Sequence, residues 1–332
     1  MTIRHARGVT EVVFTDLESA FGSLPSGSIV VTDDNVRTAW GHVAEGLPIH
    51  SIPPGERSKS MSRYAALLSS FAAAGANRSS TVVAFGGGVV GDLAGFAAAT
   101  YMRGVRCIQV PTSLMAMIDS AIGGKTGIDL DEGKNLVGAF HQPERIYVCL
   151  EALSTLPQRE MRSGLAEAVK YGMVLDPLVL DRLTDTEWLV ARYVELKAAV
   201  VEEDEFETKG RRAVLNFGHT VGHAIEQLTG YGEVLHGEAV AIGMVVESKL
   251  GEVLGESEGG LSTRLATILA GMGLPTYHNC LAQHERLINV MRRDKKGLGD
   301  FAFSLVAQPG ECKLVRGVPP AAIEEALKAC SS

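Results

Sequence analysis

No apolar run in this 332-residue chain approaches the roughly 18 residues that a membrane-spanning helix needs, because charges and glycines interrupt each one. The opening MTIRHARGVTEVVF has no apolar segment of the kind found in a secretory signal, so none is expected there. Cysteine is sparse. Cys107, Cys149, Cys280, Cys312 and Cys330 are scattered without a CxxC pair. That argues against a disulfide framework or a cysteine-based zinc knuckle and suits a reducing, cytoplasmic setting. Cys107 and Cys149 lie in apolar, strand-like runs and read as inert core thiols. A basic excess is also missing: 31 Lys and Arg face 39 Asp and Glu, a net charge of −8. Duplex nucleic acid and anionic membrane surfaces are therefore poor partners, although a small anion could still meet a locally basic pocket.

What is present is typical of a soluble globular protein, with enough length for two domains. Over residues 1–150, SIVVTDDN, STVVAFGGG, RCIQVPTS and RIYVCL read as short apolar strands, and MSRYAALLSSFAAAG has helical periodicity. Strands that are apolar throughout imply a parallel sheet covered on both faces. Over residues 151–332 apolar positions recur at helical spacing, from PQREMRSGLAEAVKYGMVL to AQHERLINVMRR. The expected fold is an α/β N-terminal domain followed by a mostly α-helical C-terminal domain, with a site expected in the cleft between them.

FGGGVVGDLAG places Gly86, Gly88 and Gly91 in a G-x-G-x-x-G arrangement between a strand and a helix. Such glycines let backbone amides at a helix start approach a diphosphate. The alternative is a tight turn with close helix packing. Asp33, Asp34 and Asn35 end the strand VVT, where an acid could bind ribose hydroxyls or cap a helix. Together they suggest a Rossmann-like dinucleotide site with an unusual order of parts, since the glycine turn is not in the first strand–helix unit.

Cations also occur where solvation explains them poorly. PTSLMAMIDSAIGGKTGIDLDEGKNLVGAF is apolar and glycine-rich yet carries Asp119, Lys125, Lys134 and Asn135, and reads as a ligand-facing loop. It is not a Walker A motif, because Asp119 stands where the leading glycine would be. Glu167 and Lys170 share a helix face in GLAEAVKYG, and Lys197 interrupts the apolar VELKAAVV. A snorkelling side chain would account for any one of these.

NFGHTVGHAIE carries His219 and His223 four residues apart. Read as one helix, Arg212, Asn216, His219, His223 and Glu226 form a single polar stripe. Gly218 and Gly222 would cost about 1 kcal/mol each in that helix unless close packing offsets them. HGEAV supplies His236 and Glu238 at the start of the next helix. Imidazoles with one carboxylate suit Zn²⁺, and spacing leaves Glu167, Glu226 and Glu238 all open as the acid. The pattern is not HExxH, which argues against a zincin protease.

With these residues in view, the chain resembles the 3-dehydroquinate synthase family. GGGVVGDLAGFAAATYMRG, VPTSLMAMIDSAIGGKTGID, GKNLVGAFHQP, LPQREMRSGLAEAVKYG, LNFGHTVGHAIE, HGEAVAIGM and the late DKK follow its pattern in order over roughly residues 28–297. The resemblance implies an NAD-dependent enzyme with one divalent metal, Zn or Co, held by Glu167, His219 and His236. It moves His223 to the substrate side. It assigns Asp119, Lys125, Lys170, Lys197 and His223 to catalysis, and Arg103, Asn135, Arg212, Asn216 and Lys296 to substrate binding. Lys295 is the alternative to Lys296. Cofactor contacts would come from Asp33, Asn35, Glu56, Lys59, Gly87, Gly88, Asp92, Thr112, Ser113, Lys134 and Thr155. Arg103 resembles the arginine that reaches a neighbouring subunit's site, which implies a homodimer.

The implied reaction converts 3-deoxy-D-arabino-heptulosonate 7-phosphate to 3-dehydroquinate and phosphate. It proceeds by transient oxidation, phosphate elimination, re-reduction and intramolecular aldol closure, so NAD is regenerated in each turnover. Aminodehydroquinate synthase is the nearest rival, followed by other sugar-phosphate cyclases and metal-dependent polyol dehydrogenases. A noncatalytic NAD-binding regulator is the reading from another class.

Overall fold

The computed structural model describes residues 1–208, 210–230, 232–294 and 301–331. Its chain forms two compact units, Met1–Met161 with Val190–Phe206, and Arg162–Leu189 with Glu207–Ser332. The first contains strands β1 (Thr2–His5), β2 (Gly8–Phe14), β3 (Ser28–Asp33), β4 (Ile49–Ile52), β5 (Thr81–Gly86), β6 (Arg106–Pro111), β7 (Lys125–Leu130), β8 (Gly133–Phe140) and β9 (Arg145–Val148). Its helices are α1 (Leu17–Gly22), α2 (Asp34–Trp40), α3 (Met61–Ala73) and α4 (Gly88–Thr100). Helices α5 (Gln158–Val174) and α6 (Thr186–Glu203) each run from one unit into the other. The second unit holds α7 (His219–Thr229), α8 (His236–Leu254), α9 (Leu261–Gly271), α10 (His284–Asp294), α11 (Pro320–Ala329) and the β10 (Phe301–Gln308)–β11 (Glu311–Val318) hairpin.

The large sheet runs β1-β2-β9-β6-β5-β3-β4, antiparallel only between β1 and β2. Both faces are covered, as apolar strands require: Val82 and Ala84 join the core with Leu67, Phe71 and Leu93 of α3 and α4. Phe85, pointing the other way, meets Phe21 of α1 edge to face at 4.9 Å. From β3 the chain moves outward to β4, then returns to lay β5 on the opposite side of β3. The order therefore reverses between β3 and β5. Ligands of open α/β sheets bind outside the carboxyl ends of strands at such a reversal. There the chain carries Asp33 and the glycine turn side by side, which accounts for their unusual separation in sequence.

The second unit is helix-rich, with a core built from α7, α8, α10, α11 and β10. Two of its helices touch at backbone distance. A Cβ on Gly222 of α7 would lie 3.2 Å from Ala239 O and Val240 Cα of α8. Gly243 of α8 is wedged against Gly218 O, and a Cβ there would also come within 2.9 Å of Gly222 N. Close packing thus explains glycines that helix propensity alone would penalise.

Two local expectations are corrected. The stretch from Arg211 to Thr229 is not one helix: a 3₁₀ turn Arg211–Asn216 ends before α7. Gly218 interrupts it in the left-handed region (φ +80°), and the buried Glu247 of α8 accepts hydrogen bonds from Gly218 N at 2.7 Å and Val221 N at 3.1 Å. These bonds satisfy amides at a helix start that has no side-chain cap of its own. Arg212 and Asn216 consequently share no helical stripe with His219. The glycine-rich segment around Lys125 is also not a long loop. It forms a π-helical turn, Ala116–Ser120, followed by the antiparallel β7–β8 hairpin.

Candidate functional site

In the second unit, Glu167 comes from the interior of α5, while His219 and His236 are the first residues of α7 and α8. Ligand atoms of these three residues lie within 4.8 Å of one another. His219 Nε2 is 3.5 Å and His236 Nε2 3.9 Å from the same atom, Glu167 Oε1. That oxygen is fully buried and has no hydrogen-bond donor among the described residues. An orphaned carboxylate oxygen is costly unless a cation meets it. Lys170, one turn later on α5, forms an ion pair with the other oxygen, Oε2.

His219 is set up as a neutral nitrogen ligand. Burial, followed by the charge of Lys170 and by His236 and His223, holds His219 well below the ordinary imidazole pKa. His219 Nδ1 lies 3.2 Å from Phe217 O, and His236 Nδ1 lies 3.2 Å from Glu226 Oε2. If each Nδ1 carries the proton, both Nε2 lone pairs face Glu167. One carboxylate and two neutral nitrogens suit Zn²⁺ or Co²⁺ and leave coordination positions open. Glu238 instead turns back to accept from Leu235 N at 2.9 Å, as in a capping box. His223 is exposed and lies outside the Glu167 cluster, although it can be grouped with Glu226 and His236.

Other expected residues of this unit are distributed differently. Arg212 is 5% exposed, with its Nε 3.4 Å from Glu207 Oε1. Asn216 is exposed at the end of the 3₁₀ turn. Lys295 and Lys296 lie outside the described residues.

In the first unit, Gly87 and Gly88 start α4, and Gly87 offers no side-chain cap to the helix amides. An anion could take that place. Thr112 N donates to Gly86 O at 3.0 Å, bringing Thr112 and Ser113 to the same turn. Asp33 caps α2: its Oδ1 accepts from Asn35 N at 2.9 Å and Val36 N at 3.0 Å. Thr155 Oγ1 accepts from the Trp40 indole at 2.8 Å.

Lys59, which lies in a stretch whose composition is unremarkable, organises a charged cluster. Its buried ammonium is 2.7 Å from Asp92 Oδ2 and 3.5 Å from Glu56 Oε1, and it also donates to Asn135 Oδ1. Burial opposes the charge, but Asp92 and Glu56 outweigh it and raise the lysine pKa. Lys134 pairs with Glu56 at 3.6 Å. Lys197 is buried and donates to Asp119 O at 2.5 Å and to its carboxylate. Lys125 is exposed at the start of β7.

Backbone strain falls at several of these positions. The described non-glycine residues with positive φ are Met102, Arg103, Asn135 and Glu207. Arg103 and Asn135 were expected to contact substrate, and Glu207 pairs with Arg212. Strain of this kind collects at functional sites because the surrounding structure must enforce it. Two positioning groups escaped the sequence reading. Asp129 Oδ1 accepts from Asn135 N at 2.8 Å and holds its left-handed turn. Glu247 was signalled only as a lone acid within the apolar run GMVVESKL.

Among the described residues no helix is long and apolar enough to cross a membrane. The family profile for the 3-dehydroquinate synthase N-terminal region matches residues 49–163, and that for the C-terminal region matches 164–297. A 3-dehydroquinate synthase from Symbiobacterium thermophilum is 43% identical over 330 residues, covering 91% of this chain and 90% of the relative. Among solved structures, a 2-deoxy-scyllo-inosose synthase in complex with carbaglucose-6-phosphate, NAD⁺ and Co²⁺ is 26% identical. It superposes with a TM-score of 0.87 over 99% of both chains. The 2-epi-5-epi-valiolone synthase from Streptomyces hygroscopicus subsp. jinggangensis with NAD⁺ and Zn²⁺ bound gives 26% identity and a TM-score of 0.85, over 97% of this chain and 96% of that one.

Proposed function

We infer that this chain, which belongs to the 3-dehydroquinate synthase family, converts 3-deoxy-D-arabino-heptulosonate 7-phosphate to 3-dehydroquinate and phosphate. The observation that carries the reading is the buried Glu167 Oε1, which meets no hydrogen-bond donor among the described residues and is faced by two imidazole Nε2 atoms. Glu167, His219 and His236 would hold one Zn²⁺ or Co²⁺. When bound, the metal polarises a substrate hydroxyl and NAD acts as a reversible hydride acceptor.

The chain's own groups have distinct tasks. Lys170 sets its ammonium against Glu167 Oε2, fixing that carboxylate and keeping a proton donor beside the ligand set. Asp119, half-buried, and the buried Lys197 form an ion pair that can orient a hydroxyl and shift a proton between carboxylate and amine. Arg212 is suited to a substrate carboxylate through its planar fork. Lys125, Asn135, Asn216, His223, Lys296 and the neighbouring subunit's copy of Arg103 complete phosphate and carboxylate binding. For NAD, the uncapped amides at Gly87–Gly88 suit the diphosphate, and Asp33 suits a ribose hydroxyl. Asn35, Glu56, Lys59, Asp92, Thr112, Ser113, Lys134 and Thr155 complete that set. We assign residues 1–150 to the NAD-binding domain and 151–332 to the metal- and substrate-binding domain, and the enzyme to a cytoplasmic homodimer.

The decisive experiment supplies metal-loaded protein, catalytic NAD⁺ and the heptulosonate phosphate, then identifies the carbocycle and measures phosphate. The expected result is 3-dehydroquinate and phosphate in equal amounts without net NADH. Folded, metal-loaded protein that yields neither product would refute the assignment. Product only from an amino analogue would reassign the chain to aminodehydroquinate synthase.

A further inference from the structure

We propose that Glu226 is a positioning residue for the metal centre, acting through His236. The proposal rests on the metal reading above and extends it to a residue outside the ligand set. His236 uses its ring nitrogens differently: Nε2 faces Glu167 Oε1 at 3.9 Å, and Nδ1 faces Glu226 Oε2 at 3.2 Å. A neutral imidazole carries one proton. A carboxylate at Nδ1 holds that proton there, fixes the ring plane and leaves the Nε2 lone pair for the metal. Glu226 is only 3% exposed, so its charge has lost water and needs a partner.

The fold makes the arrangement local. Glu226 lies seven residues after His219 on α7, two turns along the same face. One helix therefore supplies a ligand and also the group that aligns the ligand at the start of α8. The two histidines are not equivalent, because His219 Nδ1 faces the neutral carbonyl of Phe217. The negative partner makes His236 the stronger electron donor. Removing an outer partner of a ligating histidine weakens metal binding by about 10–100-fold. The competing arrangement takes His223, Glu226 and His236 as direct ligands of a second ion.

Metal-stripped full-length protein would be titrated with Zn²⁺ against a chromophoric chelator, with the Co²⁺ absorption spectrum as a second readout. Wild type should bind one equivalent. Glu226→Ala should bind about 10–100-fold more weakly with an altered cobalt spectrum. Glu226→Gln, which retains an acceptor oxygen, should fall between the two. In a His236→Ala background, adding Glu226→Ala should cause no further loss, an outcome a general folding role would not produce. Thermal melts of the metal-free variants separate misfolding from weakened binding. Wild-type affinity in Glu226→Ala, or an undiminished penalty without His236, would overturn the proposal. So would two tight equivalents in wild type that fall to one in Glu226→Gln. If wild type binds no stoichiometric ion at all, the metal reading itself fails, which is a distinguishable result.

Discussion

Replacing Gly243 by alanine tests whether the backbone contact between α7 and α8 sets the spacing of the two histidines. A methyl group there meets Gly218 O and lies 2.9 Å from Gly222 N and 3.0 Å from Gly218 C, all backbone atoms that no rotamer change can move aside. Two effects oppose each other. Alanine favours the helical state by about 0.5–1 kcal/mol over glycine. Overpacking of a close-fitting interior costs about 1–3 kcal/mol. The second should win, because the obstacle is main chain rather than the end of a flexible side chain. The helices must separate near Gly218, next to His219, whereas metal–ligand distances tolerate only about 0.2 Å. Gly243→Ala should therefore lose about 1–2 kcal/mol in urea denaturation of the metal-free protein. Its Zn²⁺ affinity should also fall by about tenfold or more in chelator competition, as when an outer support of the ligand set is lost. A variant as stable as wild type, with unchanged affinity, would show that the contact does not govern the centre.

Further outcomes follow from the same geometry. Zn²⁺ at a hundred times its Kd should stabilise the protein by about 2.7 kcal/mol, seen as a higher Tm that EDTA reverses. His219→Ala should abolish that increment; a full increment in the variant would remove His219 from the ligand set. Burial pushes the Cys107 and Cys149 thiols up to about 12, so a thiol reagent at pH 8 should leave both unmodified until denaturant is added. Rapid labelling of either in the native protein would contradict their placement. His141 is held below its ordinary pKa by burial, although its Nε2 contact with Val105 O, at 2.9 Å, acts the other way. The unfolded chain therefore takes up the proton first. The stabilising contribution is complete above the unfolded value near pH 6.5 and is lost as pH falls from there toward the folded pKa. Unfolding midpoints should drop over that range in wild type and less steeply in His141→Gln. Equal slopes would refute the assignment.

Residues whose role depends on local pattern were legible from the chain itself. Continuous apolar runs marked the strands of a covered parallel sheet, and the fused glycines marked the β5–α4 turn. The core placement of Cys107 and Cys149 was equally plain. Choosing Glu167 over Glu226 and Glu238 was not possible from spacing, because the acid lies on α5, some fifty residues before His219, and only tertiary packing joins them. The family resemblance supplied that assignment. The broken helix before His219 was missed for a related reason. Its interruption depends on Glu247 of the following helix, and a periodicity count does not register a hydrogen bond made from elsewhere. The neighbouring positions of Asp33 and the glycine turn likewise required the strand order. The β10–β11 hairpin lies beyond the motifs, and its apolar residues Phe301, Phe303 and Leu305 serve the core.

The grouping of Val190–Phe206 with the residues before Arg162 has a practical consequence for dissecting the protein. A fragment stopped after Met161 would retain Asp119 but leave its buried partner Lys197 behind, severing an ion pair as well as truncating a compact body. Expressing the two halves by a single cut is thus the wrong surgery. An autonomous nucleotide-binding piece would need the later segment spliced back in, or supplied as a separate peptide.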